Sequence, residues 1–589
     1  MRAEFALFGT AAALSIAALL VAPPRAGRAW RVPSAVLLAF LSAITPLVLY
    51  QLLDPALAAG RALWEWSAAG GPTIQASYRL DALAAIAIAA GAAYAGAGLL
   101  ASARAVAAPR ALPALVLAIG FAFIATVVAD DVVAATVALA VVAAATAFAT
   151  LLVAPAPSAL RFAAYLAIGL QGFVVAALLI ARQGGASLVL AQIPAAAVSP
   201  GAVLAATAGA ALFAGLYPFV PWRYQPAHAA TGEREPLRGL LAMPAGVAAS
   251  LILLRVLGAA KGDASTLALP TAEGALRLIV AAAALATFVV RARRRGRASR
   301  RAVIVTVLAL AILAAYPALR WSHVVLSAAG VTVLYAAAVS FALPEQWEVA
   351  RHDVTLATLW VAFAAATPLA IAAGLFVLVG AAIGALAEGA WTTPHRAYIA
   401  TVAATAWRVT GIVGVGLGAT GSADPVIAVA AAGTAALVLT LELVQAGRRV
   451  LLGDPPPDLQ IAAGVAALIG TGLLGTLLAR PIPAASAELG LRLGPLDPSL
   501  TIGVAVLSAM AVVVARLAQP LLPALEPLAA RLQSFVWAAD PVPAGMAAFG
   551  VLERAVTLSS AGFALFEQRA GVWLATVLIV ALLVWSARP

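Results

Sequence analysis

The sequence contains no cysteine and a single lysine, Lys261. Without cysteine the chain can form no disulfide, no thiolate metal site and no cysteine nucleophile. Charge is also scarce, because Asp, Glu, Lys and Arg together make up only 10% of the residues. Soluble domains carry about 25% charged residues, so this composition excludes a soluble protein. The lysine deficit matters for function, since lysine is one of the few side chains that can exchange a proton inside a bilayer.

The motifs of soluble enzymes are absent as well. The sequence has no P-loop, no G-x-G-x-x-G after a strand, no H-E-x-x-H and no Cys/His spacing typical of a metal site. We therefore expect no metal, no cofactor and no catalytic activity of the chain's own. The net charge of +12 comes mostly from arginine in loops, which indicates membrane topology rather than nucleic-acid binding.

Long apolar runs are what the sequence has in abundance, since 64% of its residues are hydrophobic. A hydrocarbon core about 30 Å thick requires about 20 apolar residues per crossing, and such runs recur from 5–21 to 568–586. We predict an all-α polytopic membrane protein with about 16 or 17 transmembrane helices. Because the runs are continuous rather than alternating, a β-barrel is excluded. The first run resembles a signal peptide, but the arginines that follow it favour a first span.

Basic residues indicate the orientation of the spans. They fall in alternate loops, as the positive-inside rule requires of one cytoplasmic side, so the N-terminus is expected to face outward. After residue 420 this bias fades, and Arg448 and Arg449 fall on the opposite side, where the count of crossings can slip by one. The basic segments are Arg25/Arg28/Arg31, Arg104/Arg110, Arg223/Arg234/Arg238 and 291–301.

Two of the predicted spans contain helix breakers. Pro218 and Pro221 interrupt the span at 200–221, and 355–387 carries Pro368 and Gly374 near its middle. Proline removes a backbone donor and therefore kinks or interrupts a helix. The interruptions lie five crossings apart, an odd number that gives the two halves opposite orientation. This predicts inverted five-helix repeats with two broken helices, a sign of a transporter's ion path. Ordinary proline kinks are the alternative.

The stretch 212–256, which includes LYPFVPW, resembles the broken seventh helix, loop and eighth helix of one family. This family comprises the antiporter-like membrane subunits of respiratory complex I, membrane-bound hydrogenases and multisubunit Na⁺/H⁺ antiporters. Further pieces follow in the family's order: SYRLDALAAIAI (77–88), VVADDVVAA (127–135), SALRFAAYLAIGLQG (158–172), RRRGRASRRAVIVTVLALAIL (293–313) and TPLAIAAGLFV (367–377). The resemblance implies N-terminal transmembrane helices at 1–76, an antiporter-like core with two inverted repeats at 77–420, and C-terminal transmembrane helices at 421–589. A lateral amphipathic segment is expected near 523–541.

The family's titrating residues are missing at the positions that the resemblance assigns to them. The lysine of the broken helix falls on Phe213, and the lysine of the next helix falls near Val247. The Lys or Glu of the second broken helix falls near Leu375, and the glutamate of the fifth helix falls near Leu139 or Ala140. Arginine cannot replace them, because it stays protonated. The usual proton relay is therefore expected to be absent.

Other polar residues are candidates for an ion path or for structural roles inside the membrane. Asp130 and Asp131 could form an ion entrance, but paired carboxylates at a helix start favour capping. Arg408 lies near mid-span and needs a partner. Glu442 lies about a turn and a half before Arg448, which favours a surface or interfacial pair. The complete set of candidates is Asp130, Asp131, Arg161, His228, His323, Arg408 and Glu442; interfacial anchoring is favoured for His323 and also for His395.

Three functions remain open at this point. The first is a divergent, structural antiporter-like subunit of a complex I-like, hydrogenase-like or cation/proton antiporter complex, in a bacterial inner (plasma) membrane. Its expected partners are other integral membrane subunits and the lipid bilayer, and it could belong to a membrane oxidoreductase complex. The second is an independent secondary transporter of a small organic or anionic solute, with the broken-helix ends and Arg408 as its site. The third is a polytopic lipid-linked glycosyltransferase, an enzyme that typically needs acidic residues in an early outward loop. This alternative is the weakest, because the loop at 53–80 contains only two acidic residues, Asp54 and Glu65.

Overall fold

The computed structural model describes most of the chain, and every described residue belongs to one compact unit. The described residues are 2–21, 28–52, 61–67, 73–104, 111–154, 156–182, 187–190, 192–216, 235–259, 321–342, 346–391, 393–450 and 456–489. Their helices are α1 Arg2–Val21, α2 Arg28–Leu52, α3 Ala82–Arg104, α4 Leu112–Val128, α5 Val132–Val153, α6 Ala156–Ala181, α7 Pro200–Ala214, α8 Glu235–Ala259, α9 Trp321–Ala342, α10 Trp347–Ala365, α11 Pro368–Ala390, α12 Pro394–Ala419, α13 Pro425–Val450, α14 Pro457–Leu478 and α15 Pro481–Glu488. Two short strands, β1 Arg61–Ser67 and β2 Thr73–Tyr78, pair antiparallel.

The helices are those of a multi-pass membrane protein. Within the described residues, nine helices are long and apolar enough to cross a membrane, and four shorter apolar helices accompany them. The prediction of an all-α polytopic membrane protein is confirmed. The predicted spans at 274–290, 302–318, 499–519 and 568–586, and the amphipathic segment at 523–541, lie outside the described residues.

The bundle has a buried centre and an apolar outer surface. The spans of α3 and α8 are buried except near their ends, and most of α11 is buried too. In contrast, α5, α6, α13 and α14 expose large apolar side chains on one face. An apolar exposed face suits contact with lipid chains or with another membrane subunit. The polar groups of α3, α8 and α11 are therefore enclosed by protein.

The segment predicted as one interrupted crossing at 355–387 is instead two antiparallel helices, α10 and α11. The chain turns between them at Ala366, which has a left-handed φ of 53°, and Thr367 caps α11 by accepting a hydrogen bond from the backbone N–H of Ala370. Arg351 near the start of α10 is paired with Glu388 near the end of α11. Such a contact is possible only if the two helices run side by side.

The roles predicted for Pro368 and Gly374 in a broken helix are therefore wrong. Pro368 occupies the first position of α11, where a backbone N–H would have no helical partner in any case. Gly374 is a packing site, because a Cβ there would lie 2.8 Å from the Cβ of Ala362 on α10. Both residues shape a tight helix hairpin, and neither interrupts a crossing.

This extra crossing also corrects the orientation of the later helices. The hairpin adds one reversal of the chain, so α13 runs from the end where α3 begins towards the end where α3 finishes. His323 at the start of α9 lies 3.4 Å from Asp424, which directly precedes α13, and Gln445 near the end of α13 donates to the carbonyl of Ser340 near the end of α9. Arg448 and Arg449 therefore belong to the same end of the bundle as Arg104.

We call this end the basic end, and the end where α3, α5 and α13 begin the acidic end. With α13 in its observed direction, the last basic pair joins the earlier ones at a single end, as the positive-inside rule requires of one side. The acidic end carries the side chains Asp81, Asp130, Asp131, Asp424 and Glu488.

Helix α7 ends before the prolines that the sequence marks as its interruption. Gly215 adopts a left-handed φ of 65°, and the backbone N–H of Leu216 donates to the carbonyl of Ala211, which closes the helix. Its 15 residues extend about 22 Å, which is less than the hydrocarbon thickness. Pro218 and Pro221 lie outside the described residues, so the first predicted broken helix stays a prediction beyond Leu216.

A small sheet at the acidic end was not expected from the sequence. Beyond the β1–β2 hairpin, the backbone N–H of Arg79 donates to the carbonyl of Val128, and that of Asp130 donates to Ser77. The N–H of Leu190 in turn donates to the carbonyl of Asp130. Backbone pairing therefore holds the starts of α3 and α5 together and brings their acidic side chains close to each other.

Candidate functional site

The positions that the family resemblance assigns to titrating groups are apolar and fully buried. Phe213, Val247, Leu375 and Leu139 each have 0% of their surface exposed. The ring of Phe213 meets that of Phe173 edge to face, with centroids 6.2 Å apart. A protonatable group would have to lose its hydration to enter such surroundings. None of these four side chains can carry a proton.

Charged groups do gather around the first turn of α3, at the acidic end. Asp81 accepts a hydrogen bond from the backbone N–H of Ala84 and thereby caps the helix. The same carboxylate binds Arg255 of α8 at 2.7 Å and Arg79 at 2.8 Å. Arg255 also donates to the carbonyl of Ala129. Arg255 thus ties α8 to α3 and to the connection between α4 and α5.

Glu488, the last residue of α15, completes this cluster. Its two carboxylate oxygens accept hydrogen bonds from the backbone N–H groups of Ala82 and Leu83, at 3.0 and 3.3 Å. The first turn of a helix presents such unpaired donors together with the positive end of the helix dipole. Desolvation, followed by the negative charge of Asp81, raises the pKa of Glu488 to about 7.

The predicted pair Asp130 and Asp131 has two distinct environments. Asp131 is the N-cap of α5, because its side chain accepts from the backbone N–H groups of Val133 and Ala134; the capping interpretation is confirmed for this residue. Burial raises the pKa of Asp131 above its ordinary value, although these amides and that of Gln75 oppose the shift. Asp130 is buried with Arg79 at 3.9 Å, so its carboxylate belongs to the charged cluster at α3.

Arg408 and Glu442 form an ion pair between α12 and α13. The guanidinium Nε donates to a carboxylate oxygen of Glu442 at 3.2 Å, and the side chains are only 3% and 2% exposed. The partner that Arg408 requires is therefore Glu442. The interpretation of Glu442 as a surface residue paired with Arg448 is wrong, because Glu442 faces the protein interior.

A second buried ion pair joins the two arms of the α10–α11 hairpin. Both terminal nitrogens of Arg351 donate to the two carboxylate oxygens of Glu388, at 2.9 and 2.6 Å. The neighbouring His352 packs edge to face against Tyr94 of α3, with ring centroids 5.9 Å apart. Polar groups therefore meet in the bundle interior between α3, α10 and α11.

The remaining candidates lie outside these clusters. His323 pairs with Asp424 at the acidic end, and Arg161 is exposed on α6. His395 is exposed at the start of α12, where the neighbouring Arg396 lies over the ring of Trp391 at 5.3 Å. His228 lies outside the described residues. Within the part of the chain that the structure describes, no three His, Asp or Glu side chains are placed to hold a metal ion.

The two polar regions are separated along α3 by an apolar stretch. Between Asp81 at the acidic end and Tyr94 in the interior, α3 reads ALAAIAIAAGAA, without a single polar side chain. The facing part of α8 offers Ser250, whose hydroxyl accepts a hydrogen bond from the indole N–H of Trp360. Neither group titrates near neutral pH. The described geometry thus provides charged clusters and structural ion pairs, but no series of titrating groups along α3 and α8.

The fold and these interior features define the class: a polytopic membrane protein with the fold of the antiporter-like membrane subunits. No family model matches the sequence, and no curated protein matches it by sequence. A chain of the Mrp complex from Dietzia sp. DQ12-45-1b superposes with a TM-score of 0.64 at 17% identity; the match covers 100% of this chain but 63% of that one.

Two further solved structures share the fold. A chain of respiratory complex I from Thermus thermophilus with bound NADH gives a TM-score of 0.54 at 16% identity, covering 84% of this chain and 100% of that one. A chain of the membrane-bound sulfane sulfur reductase, an archaeal respiratory membrane complex, gives 0.61 at 13% identity and covers 100% of both. The resemblance drawn from the residues is thus confirmed at the level of the fold.

Proposed function

We propose that the chain is an antiporter-like membrane subunit of a multisubunit complex, in which it has a structural role. The complex would be complex I-like, hydrogenase-like or a cation/proton antiporter, in the inner membrane of a bacterium. One combination supports this proposal: the whole chain follows the fold of subunits from such complexes, while Phe213, Val247, Leu375 and Leu139 are apolar and buried.

A proton relay at these positions would require a charge inside the membrane, which costs free energy. A proton carrier must be charged in part of its cycle, which in hydrocarbon surroundings requires a partner or water. Phe213 packs against Phe173, and a Cβ at Gly169 would lie 2.8 Å from the Phe213 ring. These contacts place apolar groups directly against that position.

The charged groups that are present serve to hold helices together. Arg351–Glu388 fastens the α10–α11 hairpin, and Arg408–Glu442 fastens α12 to α13. A rigid bundle with exposed apolar faces on α5, α6, α13 and α14 fits a subunit that neighbours lipid and other membrane subunits. The division into a core at 77–420 with flanking helices at 1–76 and 421–589, and its two inverted repeats, belongs to the same proposal.

The alternative of an independent solute transporter relied on Arg408 as a binding charge. In the structure Arg408 is engaged by Glu442, so the pair presents no net charge to an anionic solute. The proposal of a complex subunit is therefore preferred.

We expect an affinity-tagged chain, expressed at native level and extracted in mild detergent, to copurify with other polytopic membrane proteins in fixed stoichiometry. The chain purified without them should lose its fold at a lower temperature than the assembly, because its apolar faces then lack their protein neighbours. A tagged, unrelated multi-pass protein from the same membrane is the control. Isolation of a stable monomer that takes up a specific solute would overturn the proposal.

A further inference from the structure

We propose that Glu488 is a proton-binding site at the acidic end of the bundle, and that its protonation holds α15 against the first turn of α3. This site lies apart from the positions that the family resemblance concerns. The inference does not depend on the proposed function, because it concerns one carboxyl group and the helix that carries it.

The geometry places two carboxyl groups on three consecutive amides. Glu488 accepts from the N–H groups of Ala82 and Leu83, and Asp81 accepts from that of Ala84. Two carboxylates that share a site repel each other when both are ionised, so one of them is driven to bind a proton.

The arginines decide which of the two carboxyl groups takes the proton. Both Arg79 and Arg255 bind Asp81 directly, at 2.8 and 2.7 Å, so the charge of Asp81 has two cationic partners. Within the described residues, no cation lies within ion-pair distance of Glu488. Part of Glu488 reaches the surface, so its proton can exchange with the solution. The proton therefore goes to Glu488.

The described helices that pack against α15 are α2, α3, α11 and α14. The groups that act on Glu488 or its neighbours are Asp81, Arg79, Arg255, Tyr50 of α2 and Arg480 at the start of α15. The only titratable side chain of α11, Glu388, lies at the opposite end of the bundle, and the only one of α14, Asp458, is in its first turn, also at that end. Among the described residues, Asp81 is thus the acid that competes with Glu488.

Proton linkage gives the direction of the effect. The docked carboxyl has a pKa raised to about 7, against 4.5 for a free glutamate, because of desolvation and Asp81. Between these two values the docked state holds a proton that the undocked state releases, so docking weakens as the pH rises through this range. Protonation therefore favours contact between α15 and α3, and ionisation loosens it.

The absence of native cysteine makes the movement of α15 measurable in the full-length chain. Cysteines at Ala487 and Thr420, both exposed at the acidic end, would carry nitroxide labels in lipid nanodiscs. Pulsed EPR should give a narrow distance distribution at about pH 5.5 and a broader one at about pH 8.5, with a midpoint near the raised pKa. Glu488→Gln, which stays neutral, should give the narrow distribution at both values.

Infrared titration of the same nanodiscs tests the proton itself. The band of a protonated carboxyl group should disappear with a midpoint near pH 7 in the wild-type chain and be missing in Glu488→Gln. Glu65→Gln, at an exposed glutamate of β1, is the matched control and should retain the titration. If Glu488→Gln does not fold, the wild-type EPR titration decides alone. An unchanged distance distribution across this range, or a band that persists in Glu488→Gln, would overturn the proposal.

Discussion

Replacement of Arg408 by methionine is expected to lower the free energy of unfolding by about 3–5 kcal/mol. The loss arises from the group left behind, because the buried carboxyl group of Glu442 would lack its partner in the interior between α12 and α13. Its carboxylate is 2% exposed, and the hydrogen bond from Arg408 Nε at 3.2 Å is the contact that neutralises it. Glu442→Met should be about as harmful, since it leaves the guanidinium unpaired.

The double variant Arg408→Met with Glu442→Met shows whether the two residues stabilise the protein as an ion pair or independently of each other. Removal of both charges leaves an apolar contact of similar volume, which costs far less than either single change. Reversible denaturant unfolding in mild detergent measures all three variants. Arg161→Met, at an exposed arginine of α6, is the control and should change stability by less than about 0.5 kcal/mol. A double variant whose loss equals the sum of the single losses would show that the two residues are not coupled.

Phe213→Lys, which restores the residue that the resemblance assigns to this position, should destabilise the protein and yield no proton transport. A lysine at the centre of a membrane helix costs about 2.5–3.5 kcal/mol. At this site it would also lie against Phe173 and Gly169, in a region without charged side chains among the described neighbours on α6 and α7. The remaining relay positions, Val247 and Leu375, would still be apolar.

Phe213→Leu is the matched control, because it shortens the side chain without adding charge. It should lose less stability than Phe213→Lys and should likewise not conduct protons. Unfolding measurements and flux across liposome membranes compare the two variants. If Phe213→Lys were as stable as the leucine variant and conducted protons, the site would have to be hydrated, contrary to the packing around Phe213.

The class and the fold could be predicted from the sequence because they depend on signals spread along the whole chain. Apolar runs and basic loops establish a multi-pass bundle, and the order of short pieces indicates the antiporter-like fold. The α10–α11 hairpin could not be predicted in the same way. Residues 347–354 contain the consecutive polar residues Arg351, His352 and Asp353, and such a group in the sequence predicts a loop outside the membrane. They are buried in α10, where Glu388 compensates Arg351.

The error in the hairpin explains the error in orientation. A proline at the first position of a new helix and a proline that breaks a helix have the same local sequence, so Pro368 supports both interpretations. If 355–387 is counted as one membrane span, Arg448 and Arg449 are placed on the wrong side of the membrane. Only the contact between α10 and α11 decides between the two.

The polar clusters were only partly predictable, because their partners are far apart in the chain. The capping role of Asp131 is local and follows from its position before an apolar run. Glu488, in contrast, contacts Ala82 across 406 residues, and Arg255 contacts Asp81 across 174. Arg255 is a charged residue near the end of an apolar run, and a charge in that position requires a partner. The identity of that partner is a property of the fold.

Proton flux through the purified full-length chain in liposomes shows whether the chain lacks a proton relay. With a potassium diffusion potential as driving force and a pH-sensitive dye inside, we expect acidification no faster than in protein-free liposomes, because Phe213, Val247, Leu375 and Leu139 cannot carry a proton. A protonophore added at the end verifies that the vesicles are intact. Flux that increases in proportion to the reconstituted protein would show that the chain conducts protons and that the relay is not missing.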